Sequence, residues 1–550
     1  MIGLQHTEFR VIGPPGTGKT TYLCRQAARA VEAWCERSGW HPSECNGVLI
    51  SSLTKAAANE LRARGLDLPA DQIGTLHAHA WRALGRPKLC VDAKSLAAWN
   101  ESCNARYRLS GGSSGTPDRD APAGAGPGDD ILAAYHVLRA QLQPREAWPL
   151  TVAAFADQYE TWKRVSDCVD FSDVIHDAWA SVDVAPGNPQ VIFVDEAQDH
   201  DRAELRLVRK WAERCERVVI VGDPDQNLYE WRGSEPQAFY EVDIPDANRR
   251  VLSQSYRVPV AVHQAAMNMI GRVQNREPVE YQPRDYPGDV RILDDSFTGR
   301  GADEVVADAQ HYIAAGKQVM FLAACEYMLR PLLAELREQG IPFWNPFAKD
   351  RGSFNPLHPS RGIPAKDRVL SYLMPSPDVH GTEARMWLAS DLWKWIEVCD
   401  GHGWLRRGAK SEIEALATQA NRPLTAAEVG EWMESDAVTQ ELAELSLDFF
   451  RRRLLKNRRS GIEFALDVFK KRGAKGLTDS PKVIVGTVHS VKGGEADVVY
   501  LAPDVSPAGF DMLDSRYPDP VYRLFYVGIT RAKETLVLCG AKGHMAIEWE

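Results

Sequence analysis

Residues 13–20 read Gly13-Pro14-Pro15-Gly16-Thr17-Gly18-Lys19-Thr20, a complete G-x-x-x-x-G-K-[ST] pattern. Each residue type has a chemical reason to be there. The glycines let backbone N–H groups approach a polyphosphate closely. Lys19 brings a point charge to the β- and γ-phosphates, and the Thr20 hydroxyl can ligate Mg²⁺. The segment follows a short apolar run, Phe9 to Ile12, and precedes a helical pattern of Tyr22, Leu23, Ala27, Ala30 and Val31. A helix starting at Lys19 would add its positive N-terminal end, and Thr21 extends the nucleotide-binding stretch into the first turn. Strand before and helix after is the context that separates a phosphate loop from a chance glycine-rich turn. A second constellation follows the apolar run Val191 to Val194, which ends in Asp195 and Glu196. A carboxylate at a strand tip suits Mg²⁺, commonly through water, and its neighbour can polarise an attacking water. Adjacent acids alone carry little information. At the carboxyl end of a buried strand, where α/β sheets bind ligands, they point to hydrolysis of a nucleoside triphosphate.

These residues need a scaffold that brings separated strand ends together. Val48 to Ser51, Val191 to Val194 and Val218 to Val221 repeat the rhythm of four or so apolar residues followed by polar punctuation, with helical stretches between them. That alternation predicts a parallel α/β sheet. The rhythm returns at Val319 to Ala323, then a helical pattern of Leu329, Leu332, Leu333 and Leu336, then Val483 to Val485, Val498 to Leu501 and Leu536 to Leu538. The expected fold class is α/β with two such sheets, each carrying a helical insertion. One insertion covers 86–150 and contains a Gly/Ser/Pro/Asp-rich stretch, 110–130, expected to be a flexible loop. The other covers 371–477 and is rich in tryptophan, which we assign to a helical core, because Trp393 and Trp395 are too close to share a helix face.

Composition narrows the class further. At 550 residues the chain has room for about three to five domains. No run of 18 or more apolar residues appears, so no membrane helix or membrane partner is expected, and the N-terminal stretch does not resemble a secretory signal. The expected location is cytoplasmic. Ten cysteines without a C-x-x-C pair predict buried thiols such as Cys24, Cys168 and Cys539, not a disulfide framework or a zinc site. A net charge of -10 excludes a uniformly basic nucleic-acid coat but leaves room for a local basic groove. The basic run from Arg451 to Arg459 fits a solvated helix face slightly better than a phosphate track.

With Asp195-Glu196-Ala197-Gln198-Asp199 the sequence resembles a known family, the UvrD/Rep/PcrA group of superfamily 1A DNA helicases. Further boxes follow in the family's order. Ser52-Leu53-Thr54 through Glu60, Leu61, Arg62 and Arg64 resembles motif Ia, Gly74 to His77 the GTFH box, and Asp170 to Asp173 the D-F-x-D segment. Gly222 to Gln226 with Tyr229, Trp231, Arg232 and Gly233 is similar to motif III, and Leu252 to Arg257 to motif IV. Gly486 to Glu495 is similar to motif V, and Tyr526 to Lys533 to motif VI.

The resemblance implies two RecA-like P-loop NTPase domains with ATP and Mg²⁺ in the cleft between them. Thr20 and Asp195 would hold the metal, Lys19 the phosphates and Glu196 the water. Gln226 would sense the γ-phosphate, and Arg257 and Arg531 would be arginine fingers from the second lobe, a type of group typically worth about 10³–10⁵ in rate. Tyr256 would stack on adenine and Glu495 would bind the ribose. Leu53, Tyr229, Trp231 and Arg232 would face single-stranded DNA, and His77, Thr487 and His489 its phosphodiester backbone. Tyr229 and Trp231 are two apart, so an extended segment would point both the same way, as a base-stacking platform requires. Domain 1A would comprise 1–85 and 151–247, a small 1B-like insertion 86–150, domain 2A 248–370 and 478–550, and a reduced 2B-like insertion 371–477. The implied activity is ATP-dependent translocation and unwinding, 3′ to 5′, on single-stranded or partly duplex DNA.

Several positions depart from the family pattern. Leu53 and Leu76 replace aromatics, Gly494 replaces a leucine, and Gln5 is closer to the lysine than the family's adenine-reading glutamine normally is. Adenine selectivity is therefore not implied. The rival readings are an NTPase that senses DNA ends without unwinding, an RNA helicase, a helicase relying on a separate nuclease or loading partner, and an inactive P-loop scaffold. The intact Lys19, Asp195, Glu196, Gln226 and both arginines count against the last.

Overall fold

The computed structural model describes residues 8–53, 55–110, 126–359, 362–373, 387–419 and 422–549. Gln5, Thr54, the side chain of Glu60 and residues 111–125 of the expected loop lie outside the described residues. Packing divides the chain into two compact units. The first runs up to Ile292 and adds Ala324–Tyr327 and the stretch from Pro503; the second is Leu293–Ala323 with Met328–Ala502. The boundaries of these units differ from the sequence-based division, which places residues 248–292 and 503–550 in a second lobe.

The first unit is built on strands β1 (Glu8–Ile12), β2 (Val48–Ser52), β3 (Ile73–Thr75), β4 (Val191–Val194), β5 (Arg217–Gly222) and β6 (Arg249–Val251). They form a six-stranded sheet in the order β3-β2-β4-β5-β1-β6, and every pairing is parallel. Successive side chains point to opposite faces, and both faces are covered. Ile12, Ile192, Val194, Val218 and Ile220 pack on one side with the helices Leu76–Ala83, Phe171–Ser181 and Arg202–Ala212. Val11, Phe193, Val219 and Val221 pack on the other side with the helix Lys19–Ser38 through Leu23, Ala27 and Val31. Burial on both faces explains why these strands appear in the sequence as apolar runs and not as alternating patterns.

The first insertion is helical, as expected. Trp99, Tyr107, Tyr135, Phe155 and Tyr159 make a buried aromatic core. Of the stretch 110–130 expected to be a loop, residues 127–130 are helical, because Pro127–Ala140 is a helix whose first turn holds Asp129 and Asp130. Proline at the first helical position and acids near the N-terminus favour that start.

Two further strands, β7 (Gln254–Pro259) and β8 (Gln282–Arg284), pair in parallel within the first unit. β9 (Asp289–Leu293) follows. In the second unit, β10 (Val319–Ala323), β11 (Phe343–Trp344), β12 (Val483–Thr487) and β13 (Ala496–Leu501) lie in the parallel order β11-β12-β10-β13. β14 (Ala532–Cys539) packs beside β7 in the first unit. The chain is a mixed α/β protein with parallel sheets, the architecture of RecA-like domains. The tryptophan-rich stretch is core: Trp395 and Trp404 are fully buried and stack at 5.9 Å. The basic run is split between the helices Leu447–Arg453 and Lys456–Arg472, and its Arg451 pairs with Glu463 at 2.8 Å and Asp467 at 3.0 Å.

Candidate nucleotide and nucleic-acid sites

The phosphate loop joins the end of β1 to the helix Lys19–Ser38. Gly13 N–H donates to the Gly222 carbonyl at 3.1 Å, and Thr17 Oγ1 donates to the Pro14 carbonyl at 2.8 Å, closing the loop on itself. Gly16 and Gly18 have φ of +75° and +80°, which only glycine adopts readily. A Cβ at Gly16 would also fall 2.5 Å from Arg257 Cβ and 2.7 Å from Ser255 Oγ. Gly18 caps the helix without any side-chain hydrogen bond, and the first turn holds no acid. The first-turn N–H groups therefore have no side-chain acceptor of their own at the cap, which is the arrangement that receives an anion. Lys19 is buried and donates from Nζ to the Gly13 carbonyl at 2.6 Å, so its ammonium lies over the loop. These features fit a bound polyphosphate.

Asp195 follows β4 and is almost fully buried. Its backbone N–H donates to the Ser51 carbonyl at 2.9 Å and its Oδ1 accepts from Glu196 N–H at 3.1 Å. Glu196 has φ +51°, a left-handed conformation unusual for its type, and its Oε2 accepts from Gln198 Nε2 at 2.5 Å. Gln198 also accepts from Asp223 N–H at 2.9 Å and, through its carbonyl, from Asn227 Nδ2 at 2.7 Å. One buried amide thus ties the end of β4 to the turn after β5, a role for Gln198 that sequence reasoning missed although the residue lies inside its motif. Burial pushes the Asp223 carboxyl up to about 6, against the pull of Lys19. Among the described residues no cluster of three or more His, Cys, Asp or Glu side chains could hold a metal alone. A Mg²⁺ on Thr20 and Asp195 would take its other ligands from phosphate and water, as that ion commonly does.

The two arginines reach this site. Ser255 Oγ and Tyr281 Oη each donate to the Pro15 carbonyl at 3.0 Å, and Tyr256 N–H donates to the Gly16 carbonyl at 2.8 Å. β7 is therefore laced to the phosphate loop, which brings Arg257 against Gly16. Nothing in the sequence marked Tyr281, which comes from the separate strand region near β8. Arg531 is buried and donates from Nη2 to Gln226 Oε1 at 3.2 Å, while Gln226 Nε2 donates to Asp223 Oδ2 at 2.6 Å. Arg276 makes a further ion pair with Asp225 at 2.6 Å. Tyr256 is 72% exposed, so its ring is available to stack on a planar ligand.

The residues expected to face DNA divide between the units. In the first, register pairs Ser52 with Thr75, so the half-buried Leu53 and His77 leave the same edge of the sheet. Leu76 is core. The segment carrying Tyr229 and Trp231 is not extended: Glu230–Arg232 is a 3-10 turn. The two rings are nonetheless neighbours, with centroids 6.3 Å apart and planes at 51°, and Arg232 lies over Tyr229 at 5.6 Å. They form a tilted pair instead of a flat platform. In the second unit, Thr487 ends β12 fully buried, its Oγ1 accepting from Ser490 N–H at 3.2 Å. His489 and Glu495 are half-buried. A Cβ at Gly494 would strike the Phe347 ring at 2.5 Å, which accounts for glycine at that position.

Two stretches of the chain are similar to known protein families. Residues 135–244 match the UvrD/REP helicase N-terminal domain, and residues 482–539 match the UvrD-like helicase C-terminal domain. The chain is 41% identical over 91 residues to the ATP-dependent DNA helicase PcrA of Bacillus subtilis (strain 168), covering 16% of this chain and 12% of that protein. It is 30% identical over 167 residues to PcrA of Leuconostoc citreum (27% and 22%). With PcrA of Staphylococcus epidermidis it shares 28% identity over 194 residues (34% and 27%). The matches thus span 12% to 27% of the length of these relatives.

Proposed function

From the premise that this chain is a superfamily 1A protein of the UvrD/PcrA-like kind, we propose that it is an ATP-dependent motor on DNA. In this reading Mg²⁺-ATP lies on the Gly13–Thr21 loop. Lys19 and the first-turn N–H groups hold its phosphates, Thr20 and Asp195 its metal, and Glu196 its attacking water. Gln226 meets the γ-phosphate, and Arg257 and Arg531 supply positive charge where the transferred phosphoryl group becomes most negative. Tyr256 takes the base and Glu495 the ribose. Leu53, His77, Tyr229, Trp231 and Arg232, together with His489, contact one DNA strand, and Thr487, buried at the end of β12, supports the turn that carries His489. The domain division set out from the sequence (1A, 1B, 2A and 2B) belongs to the same reading, as does 3′-to-5′ movement.

The observation that carries the reading is the hydrogen bond from Arg531 to Gln226, in a compact unit where Arg257 also abuts Gly16 of the phosphate loop. Guanidinium groups from distant parts of the sequence converge on the residues that would meet the γ-phosphate. A lone arginine near a glycine-rich turn has many explanations; two arginines, a glutamine and a complete phosphate loop have few. The same bond supplies a route to the strand: Gln226 precedes Tyr229, Trp231 and Arg232 by a few residues, so loss of the γ-phosphate would be felt at the aromatic pair.

ATP turnover, measured with and without oligothymidylate, tests the proposal. Turnover should rise at least tenfold with the strand, and Lys19→Ala should reduce stimulated turnover by about 10² or more while leaving the melting temperature unchanged. Equal turnover with and without the strand, or full activity in the variant, would overturn the assignment.

A further inference from the structure

The helix Arg202–Ala212 begins with a capping box in which Asp201 is the N-cap and Glu204 the third helical residue. Glu204 is 1% exposed, and a carboxylate so deeply placed is costly unless every lone pair is used. Its two oxygens have different partners. Oε2 accepts from Asp201 N–H at 3.0 Å and lies 3.0 Å from His200 Nδ1, which completes the cap. Oε1 lies 3.3 Å from His77 Nδ1 and accepts from Arg232 Nη2 at 3.5 Å. His77 and Arg232 come from segments far apart in sequence, and their side chains are 30% and 31% exposed. Each therefore has one part on the buried carboxylate and another at the surface. Phe171, half exposed, packs edge-on to His77 at 5.8 Å, and Tyr229 lies beneath Arg232.

We propose that Glu204 is a positioning residue for the nucleic-acid surface, its Oε1 fixing His77 and Arg232 as one unit while its Oε2 caps the helix. The inference rests on the reading of His77 and Arg232 as strand contacts. It adds a residue that touches no ligand, and it explains why a buried anion stands behind a surface meant for a polyanion. The carboxylate orients both side chains, and their exposed parts remain for phosphate. Burial lowers the His77 pKa and Glu204 opposes that shift, so the pair is electrostatically coupled as well as in contact.

Glu204→Gln is the discriminating variant. Glutamine serves equally at the third position of a capping box, so the cap survives, but an amide N–H₂ then faces His77 and Arg232 in place of an acceptor. Binding of a fluorescein-labelled oligothymidylate to the full chain should weaken about tenfold, as expected for loss of one charge-assisted contact. The oligothymidylate KM for ATP turnover should rise similarly, with kcat at saturating strand and the melting temperature unchanged. In an Arg232→Ala background the same substitution should weaken binding by clearly less than in the unaltered chain, because only the part of its effect that passes through His77 remains. Unchanged affinity in the single variant, an undiminished effect in the Arg232→Ala background, or a fall in kcat at constant KM would overturn the proposal. Should Glu204→Gln fail to fold, the His77→Ala and Arg232→Ala cycle decides: additive losses would sink it, and coupled losses support it. If the unaltered protein bound no oligothymidylate, the strand-contact reading would fall first; if it bound and Arg232→Ala weakened it while Glu204→Gln did not, only the role of Glu204 would be lost.

Discussion

A methyl group at position 16 would meet Arg257 Cβ at 2.5 Å and Ser255 Oγ at 2.7 Å, on a backbone with φ +75°. Both obstacles belong to β7, whose Ser255 also bonds the Pro15 carbonyl. The glycine therefore serves two purposes: it supplies the left-handed conformation, and it admits the arginine to the loop. Gly16→Ala should cost about 1–3 kcal/mol from backbone strain alone. It should also push Arg257 away from the loop. We expect a lower melting temperature together with at least a tenfold loss of strand-stimulated ATP turnover. Gly18→Ala has the same backbone strain but open space around its Cβ, so it separates the two effects. Equal turnover in the two variants would mean that the approach of Arg257 is irrelevant to hydrolysis. At this scale the sequence offered most, because a G-x-x-x-x-G-K-[ST] loop demands particular residue types at fixed spacing, and Gly16 and Gly18 are left-handed where the pattern has glycine. It was silent on Tyr281, whose contact with Pro15 depends on where β8 lands, and it did not foresee that Gln198 bridges two strand ends.

Among the elements, strands buried on both faces were legible as apolar runs, from Phe9–Ile12 through Val218–Val221. Apart from the helix after the phosphate loop, helix starts were not read from the sequence, although a capping box is written at some of them. Asp170 and Asp173 form one such box, which gives the acids of the D-F-x-D segment a structural role, and Asp201 and Glu204 form another. The 3-10 turn at Glu230–Arg232 was not legible, because its geometry follows from the tertiary environment of the segment after β5 and not from local preference. The helix Leu76–Ala83 offers a test of how such elements are held. His79 is fully buried and its Nε2 lies 3.1 Å from the Ile50 carbonyl on β2. Burial lowers its pKa from 6.5 to about 4, so the folded protein keeps it neutral where the unfolded chain would take up a proton. Stability from this group is thus complete above about pH 6.5 and is lost as pH falls towards 4, by up to about 3 kcal/mol. Urea unfolding across that range should show the slope, and His79→Gln should flatten it. A slope identical in the variant would show that other groups carry the acid sensitivity.

At the scale of the whole molecule, the question is whether turnover becomes directed movement. The phosphate loop, Gln226, Arg257, Arg531 and the Tyr229–Trp231 pair share one compact unit, so the proposed nucleotide chemistry and the proposed strand-facing pair would be mechanically close. Thr487, His489 and Glu495 belong to the other. A motor in which each unit grips the strand needs both sets, whereas a stationary sensor needs only the first. Thr487→Ala and His489→Ala therefore distinguish motor from sensor: in a motor they should slow displacement of streptavidin from biotinylated oligothymidylate more than they weaken equilibrium binding. Direction follows from which end is cleared. Movement 3′ to 5′ displaces streptavidin from a 5′-biotin and unwinds duplexes bearing a 3′ tail, with little effect on the opposite substrates. Displacement from the 3′ end would reverse the proposed polarity. Strand-stimulated turnover with displacement from neither end would reduce the protein to a DNA-sensing NTPase, and in that case substitutions at Thr487 and His489 should leave turnover untouched.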